Sequence, residues 1–212
     1  NSTHADALFG AGRCYVERWD MPNADKSFTA ALATNPKHLG TRLMRLQQFI
    51  QADNPRAALA PLAELAEMYP NNLEILTWRA NVEILLADKE AFGKTEASVK
   101  AIHAKPAFLY HQIAEAIAGG HRFGEAIEWY KRALAVDDKF WPAWTGIGFA
   151  YLRHGDFKLG QEAVSKALDG DTLSNSVHTR NMVMLLEKMD KKFETVNTKH
   201  FVIRFDESES KA

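Results

Sequence analysis

The sequence has a single cysteine, Cys14, among 212 residues. One cysteine excludes an internal disulfide and every zinc or iron–sulfur site that needs several thiolates. The 26 lysines and arginines are balanced by 27 acidic residues, so the basic excess of nucleic-acid-binding proteins is missing. No apolar run approaches the roughly 18–20 residues that a membrane-spanning helix needs. These absences predict a chain that binds no nucleic acid and does not insert into a membrane.

Catalytic motifs are missing as well. None of the eight histidines lies three or four residues from another, although zinc hydrolases typically place two ligands one helical turn apart. The chain contains no glycine-rich phosphate loop and no Gly-x-Ser-x-Gly elbow. The sequence therefore predicts no metal, no cofactor and no catalytic residue. Cys14, beside the core position Tyr15, is expected to be a buried or half-buried structural thiol.

The overall composition is that of an ordinary globular protein, with 46% hydrophobic and 25% charged residues. It predicts a soluble protein and leaves its compartment open between the cytoplasm and the periplasm. The chain begins Asn1-Ser2-Thr3 without a signal-peptide pattern.

A helical pattern recurs about every 34 residues. Its clearest copy places apolar or small residues at i, i+3, i+4 and i+7: Trp144, Ile147, Gly148 and Tyr151. This spacing predicts one apolar stripe of an α-helix, and a second stripe follows the turn signal Gly155-Asp156. Similar copies begin near Leu8, Leu46 and Tyr110. The copy around Trp78 matches only if two residues are inserted.

Small residues recur where paired helices would cross: Gly12, Ala24, Ala114, Ala126, Gly148 and Gly160. A glycine or alanine at a crossing lets two helices approach closely. One helix pair cannot bury both of its apolar faces, so about three or more stacked pairs are needed for a stable core. Five pairs meet that requirement.

The pattern resembles the tetratricopeptide repeat (TPR) signature W-x2-L-G-x2-Y…A-x3-F…P, over residues 5–172. The resemblance implies an all-α fold, a right-handed α-solenoid of helix–turn–helix repeats. The five repeats are expected at about 5–38, 39–72, 73–108, 109–140 and 141–174.

The pattern changes after residue 172. Asn175 or Ser176 is expected to cap a C-terminal helix over residues 175–191. Short β-branched and aromatic runs over residues 193–206, around Asn197-Thr198-Lys199, predict a β-hairpin. Because a lone hairpin is only marginally stable in water, we expect it to pack on the repeats or to begin a second domain.

This boundary is similar to the entry of a peptidase MA-like metalloprotease domain in bacterial TPR proteins. The matching residues are Leu185, Leu186, Met189, Asp190, Lys191 and 193–206. The zinc motif of that family, His-Glu-x-x-His, is absent from these 212 residues. The resemblance therefore implies a catalytic domain beyond residue 212.

In the TPR family the first helix of each repeat lines a concave face where partner peptides or helices bind. The resemblance implies partner-binding residues at the matching positions: Phe9, Arg13, Glu17, Leu43, Gln47, Arg79, Glu83, His111, Glu115, Thr145, Phe149 and Arg153, with Ile50 and Phe108 at similar positions. This mixture of apolar and oppositely charged residues lacks a Lys/Asn/Arg clamp for a peptide carboxylate. It predicts an apolar or mixed-charge protein partner, and the alternative is that these side chains only solvate their helices.

Two functional hypotheses follow. The first is a non-catalytic protein-interaction scaffold that holds a protein or peptide in the concave groove. The second is an N-terminal arm that recruits substrates for, or regulates, a zinc metalloprotease. Trp141, which has no position in the repeat pattern, is expected either to contact a partner or to pack against the preceding helix.

Overall fold

The structure is a computed structural model that describes residues 2–171 and 177–209. The chain divides into two compact units, Asn1–Ala104 and Lys105–Ala212. Helices dominate the described residues of both units, and they come in pairs joined by short turns. This arrangement confirms the helix–turn–helix repeats that the sequence pattern predicts.

The described part of the first unit contains three helix pairs: α1 (Ser2–Glu17), α2 (Met21–Thr34), α3 (Leu39–Gln51), α4 (Leu59–Met68), α5 (Leu73–Leu85) and α6 (Lys89–Ile102). A 3₁₀ turn over Pro55–Ala58 leads into α4. Side-chain caps explain several helix starts, since Asn72 accepts from the N–H of Ile75 and Asp88 accepts from the N–H of Ala91. Leucines, isoleucine and valine of α3, α4 and α5 form one apolar core cluster.

The described part of the second unit contains two helix pairs, a further helix and a hairpin: α7 (Ala107–Gly119), α8 (Phe123–Val136), α9 (Trp141–His154), α10 (Phe157–Gly170), α11 (Val177–Lys192), β1 (Phe193–Asn197) and β2 (Val202–Asp206). A 3₁₀ turn over Glu207–Glu209 follows β2. The helix α11 confirms the predicted C-terminal helix. Its predicted caps, Asn175 and Ser176, lie outside the described residues.

The first helix of every pair ends in the same left-handed turn. One residue with φ between 54° and 101° recurs at intervals of 34: Trp19, Asp53, Ala87, His121 and Gly155. The N–H of the next residue donates to the carbonyl five positions back, as from Asp20 to Tyr15 at 2.9 Å, which is the Schellman motif of helix ends. The interval of 34 also holds through the third pair. The two inserted residues that the sequence pattern suggested there are therefore absent.

The small residues expected at helix crossings are all buried, which confirms that prediction. In the second unit Gly148 of α9 lies against Gly160 of α10. A Cβ atom placed on Gly148 would lie 3.2 Å from the carbonyl oxygen of Gly160 and 3.0 Å from the backbone nitrogen of Val164. The two helices therefore approach as closely as their backbones allow.

The two strands form an antiparallel hairpin, as predicted. Phe193 pairs with Asp206 and Asn197 pairs with Val202 at the two ends of the ladder. The guanidinium of Arg204 lies 4.5 Å from the ring centroid of Phe157 on α10, so the hairpin contacts the last helix pair. Phe201 nevertheless remains 68% exposed.

Candidate functional site

A cavity of about 470 Å³ lies within the second unit. It is bounded by the first helices α7 and α9, by α11, and by parts of α8 and α10. Five of the six partner-binding positions predicted for this unit line the cavity: His111, Glu115, Thr145, Phe149 and Arg153. The sixth, Phe108, is not one of the lining residues. Two lie four residues apart on α7, and three lie at successive four-residue steps on α9. Residues at this spacing share one face of a helix, which explains why they converge.

One wall of the cavity is formed by three polar side chains: Tyr130, Glu115 and His111. The Tyr130 hydroxyl donates to Oε1 of Glu115 at 2.5 Å, and Nε2 of His111 lies 3.6 Å from the same oxygen. Burial raises the pKa of Tyr130 well above its usual value, and the adjacent Glu115 carboxylate raises it further. Tyr130 therefore remains a hydrogen-bond donor to Glu115 at neutral pH.

His111 is largely covered in the same wall, with 16% of its side chain exposed. Its ring lies 5.4 Å from that of Phe140 and 5.8 Å from that of Tyr130. Burial lowers the pKa of His111, and the neighbouring Glu115 carboxylate opposes part of that effect. The cavity wall therefore favours a neutral imidazole.

This burial predicts a pH-dependent stability. In the unfolded chain His111 regains its ordinary pKa of 6.5, so below that pH the unfolded state binds more protons than the folded state. The free energy of unfolding should decrease as the pH falls from 6.5 toward the lower pKa of the folded state. We expect His111→Gln to reduce this decrease, measured by urea unfolding at about pH 7.5 and about pH 5.5.

The matched control is His200→Gln, because His200 is exposed on the hairpin. That variant should keep the pH dependence of the unchanged protein. An unchanged pH dependence in His111→Gln would contradict the assignment of the effect to this cavity wall.

Another part of the cavity lining is aromatic and cationic. The rings of Phe149 and His178 stack with centroids 4.8 Å apart, and the guanidinium of Arg153 lies 5.6 Å from the ring centroid of Phe123. Sequence reasoning missed the place of His178, Phe123 and Tyr130 in this cavity. No local signal marks His178, since its place depends on how α11 packs in the unit.

The residues predicted for the first unit lie in different surroundings. Arg13 and Glu17 are exposed on α1, whereas Phe9 is half-buried and its ring lies 5.1 Å from that of His38. Gln47 is half-buried on α3. Leu43 is only 6% exposed and belongs to the core cluster, so packing accounts for it.

Arg79 and Glu83 lie together in a second cavity of about 340 Å³, bounded by α4, α5 and the start of α6. Nε of Arg79 donates to Oε1 of Glu83 at 2.8 Å. The structure thus buries Glu83 between helices, where only 6% of its side chain is exposed.

One sequence expectation is corrected. Cys14 is exposed and is not a buried or half-buried thiol. The reason is helical geometry, because Cys14 is about 200° around α1 from Gly12, which packs against Phe28. The ring of Trp141 packs against Gly170 of the following helix α10.

No group of three or more His, Cys, Asp or Glu side chains in the described ranges is arranged to hold a metal ion. Within the same ranges, no helix combines the length and apolar character that crossing a membrane requires.

Helix pairs that recur every 34 residues, each with a Schellman turn at the end of its first helix, define a TPR-like helical repeat fold. No protein-family model matches the chain, and no curated protein matches it either. Solved structures do match. TTC0263, a thermophilic TPR protein of Thermus thermophilus, is 16% identical with a TM-score of 0.56, and the match covers 87% of this chain and 99% of that one.

A second similar structure is PilW, a widely conserved type IV pilus biogenesis factor. It is 16% identical with a TM-score of 0.50, and the match covers 87% of this chain and 84% of that chain. Both likenesses concern the fold alone.

Proposed function

We propose that this chain is a non-catalytic protein-interaction module that holds a segment of a partner polypeptide in the cavity of the second unit. The supporting observation is that five of the six residues expected to bind partners in this unit line that single cavity. They come from two helices and meet only because the repeat places corresponding faces side by side.

The lining residues of the cavity indicate what kind of partner segment it would bind. Phe123, Phe149 and Leu168 offer apolar surface, while Glu115 and Arg153 carry opposite charges. Aromatic residues and arginine are enriched among the side chains that dominate binding energy. We therefore propose a partner segment with apolar side chains flanked by charges of both signs. Contacts at Arg13, Glu17 and Gln47 of the first unit stay predictions.

The test is a paired substitution on α9. Phe149→Ala combined with Arg153→Ala should reduce capture of the partner from the source cell by about tenfold or more, because both are rim side chains of the kind that carry hot spots. Helical circular dichroism should be unchanged. A photo-crosslinking residue at Thr145 should label the same partner.

The matched control is Lys158→Ala combined with Leu159→Ala on the neighbouring helix α10. Both side chains are exposed and neither lines the cavity. This control should capture the partner normally, and a crosslinker at Leu159 should not label it. Equal capture by the two double variants would show that the partner binds elsewhere.

The metalloprotease-arm hypothesis remains as a second proposal, favoured by the hairpin. Its apolar side chains are widely exposed: Val196 43%, Phe201 68%, Val202 65% and Ile203 48%. Among the described residues each strand also has only one neighbour. Open strand edges and exposed apolar patches are usually covered in folded proteins. For this hairpin we propose that further strands of a catalytic domain cover them. The gene beyond Ala212 tests this, since the absence of His-Glu-x-x-His from a domain-sized stretch would remove the hypothesis.

A further inference from the structure

The cavity of the first unit contains a buried carboxylate whose bonding is incomplete. Oε1 of Glu83 accepts from Nε of Arg79 at 2.8 Å and from the Thr95 hydroxyl at 3.0 Å. Oε2 of the same carboxylate is buried and has no hydrogen-bond partner among the described residues. A buried acceptor without a donor costs free energy and is rare in native proteins. We therefore expect a group from a ligand to donate a hydrogen bond to this oxygen.

The walls around Glu83 determine what kind of donor fits. Leu59, Leu62 and Ala66 of α4 and Leu86, directly after α5, supply an apolar lining, and the volume of about 340 Å³ is in the range of small-molecule sites. An apolar lining beside a carboxylate matches a side chain with an aliphatic stem and a polar head.

The charges favour a cation. Two carboxylates, of Glu83 and Asp88, line the cavity against the single guanidinium of Arg79. This guanidinium already forms an ion pair with Glu83 through its Nε atom. One further positive charge would balance the formal charges of the lining residues.

The geometry favours an ammonium over a second guanidinium. A bidentate arginine needs both oxygens of a carboxylate, and Oε1 of Glu83 already accepts two hydrogen bonds. An ammonium is a compact charge that can donate to the remaining oxygen alone.

We propose that the cavity among α4, α5 and α6 binds the side chain of a lysine from a partner polypeptide, with its ammonium on Glu83. This site deepens the proposed interaction function, but it lies in the first unit and is tested without the cavity of the second unit. Failure of one proposal is therefore distinguishable from failure of the other.

The test is a titration of isotope-labelled protein with Nα-acetyl-lysine-N-methylamide, followed by the NMR signals of Ala63, Ala66 and Ala91, which line the cavity. The matched probe is the norleucine analogue, which keeps the aliphatic stem and lacks the amine. We expect saturable shifts with the lysine probe and at least about tenfold weaker binding of the norleucine probe, because a hydrogen bond to a charged group is lost.

Two variants and a control complete the test. Glu83→Gln should weaken binding of the lysine probe about tenfold or more. Ala63→Phe, at an exposed position on the cavity wall, should block binding while leaving Glu83 in place, and it serves if Glu83→Gln does not fold. Glu90→Gln, an exposed change in the same repeat, should bind like the unchanged protein.

Three results would overturn the proposal. The first is equal binding of the two probes, and the second is shifts confined to residues outside the cavity. The third is the absence of any saturable shift at the highest soluble probe concentration, which would leave water as the occupant of the cavity.

Discussion

Phe28→Ala is expected to lower the free energy of unfolding by about 3–5 kcal/mol. Phe28 has no exposed surface, and its ring fills the space beside Gly12 of α1 and lies 6.2 Å from the ring of Phe9. Alanine would remove this buried area and leave a cavity that the helix backbones of α1 and α2 cannot fill by a small shift. Urea unfolding followed by circular dichroism measures the change, and amide hydrogen exchange locates it in these two helices.

The hairpin offers a control with the same change of side chain. Phe201 is 68% exposed, so Phe201→Ala should change stability by no more than about 0.5 kcal/mol. If Phe28→Ala were as mild as Phe201→Ala, the packing of α1 against α2 would not be the source of stability that the structure indicates.

Gly148→Leu is expected to destabilise the protein by about 1–3 kcal/mol through overpacking. A Cβ atom at this position would lie 2.6 Å from Cγ1 of Val164, and the rest of a leucine needs further room between α9 and α10. Part of the obstruction is backbone, which cannot rotate away as a flexible side chain can. Thermal or urea unfolding of the variant gives the magnitude.

Gly93→Leu provides the opposite expectation. Gly93 also lies within a helix, but it is exposed and no atom lies within 4 Å of a Cβ placed there. Because leucine favours the helix over glycine by up to about 1 kcal/mol, this variant should be neutral or more stable. A lowered unfolding midpoint in Gly93→Leu, or an unchanged midpoint in Gly148→Leu, would refute the distinction between crossing and exposed glycines.

The repeat could be read from the sequence because its causes are local. Apolar spacing sets which face of each helix is buried, and small residues such as Gly12, Gly148 and Gly160 mark where helices cross. The turns were harder to predict from the sequence than the helices. Trp19 and Ala87 hold left-handed backbone angles without being glycine or asparagine, so nothing in their type shows that the interval of 34 continues through the third repeat.

The candidate site was only half predictable. Thr145, Phe149, Arg153, His111 and Glu115 were implied by the resemblance to TPR proteins, and their four-residue spacing explains why each set shares one helix face. The partners that complete the cavity, Tyr130 and His178, come from other helices and could be found only when the packing was known.

The sequence by itself determined the paired helices, their 34-residue interval outside the third repeat and the terminal hairpin, because each depends on residues a few positions apart. The resemblance to TPR proteins, and not local spacing, indicated which helix faces carry the candidate contacts. Only the tertiary structure decided that Glu83 is buried with one oxygen unpartnered among the described residues, that Cys14 is exposed, and that α11 closes the cavity of the second unit. The physical reason is that burial and the closing of a cavity depend on the packing of distant segments, and local periodicity does not encode that packing.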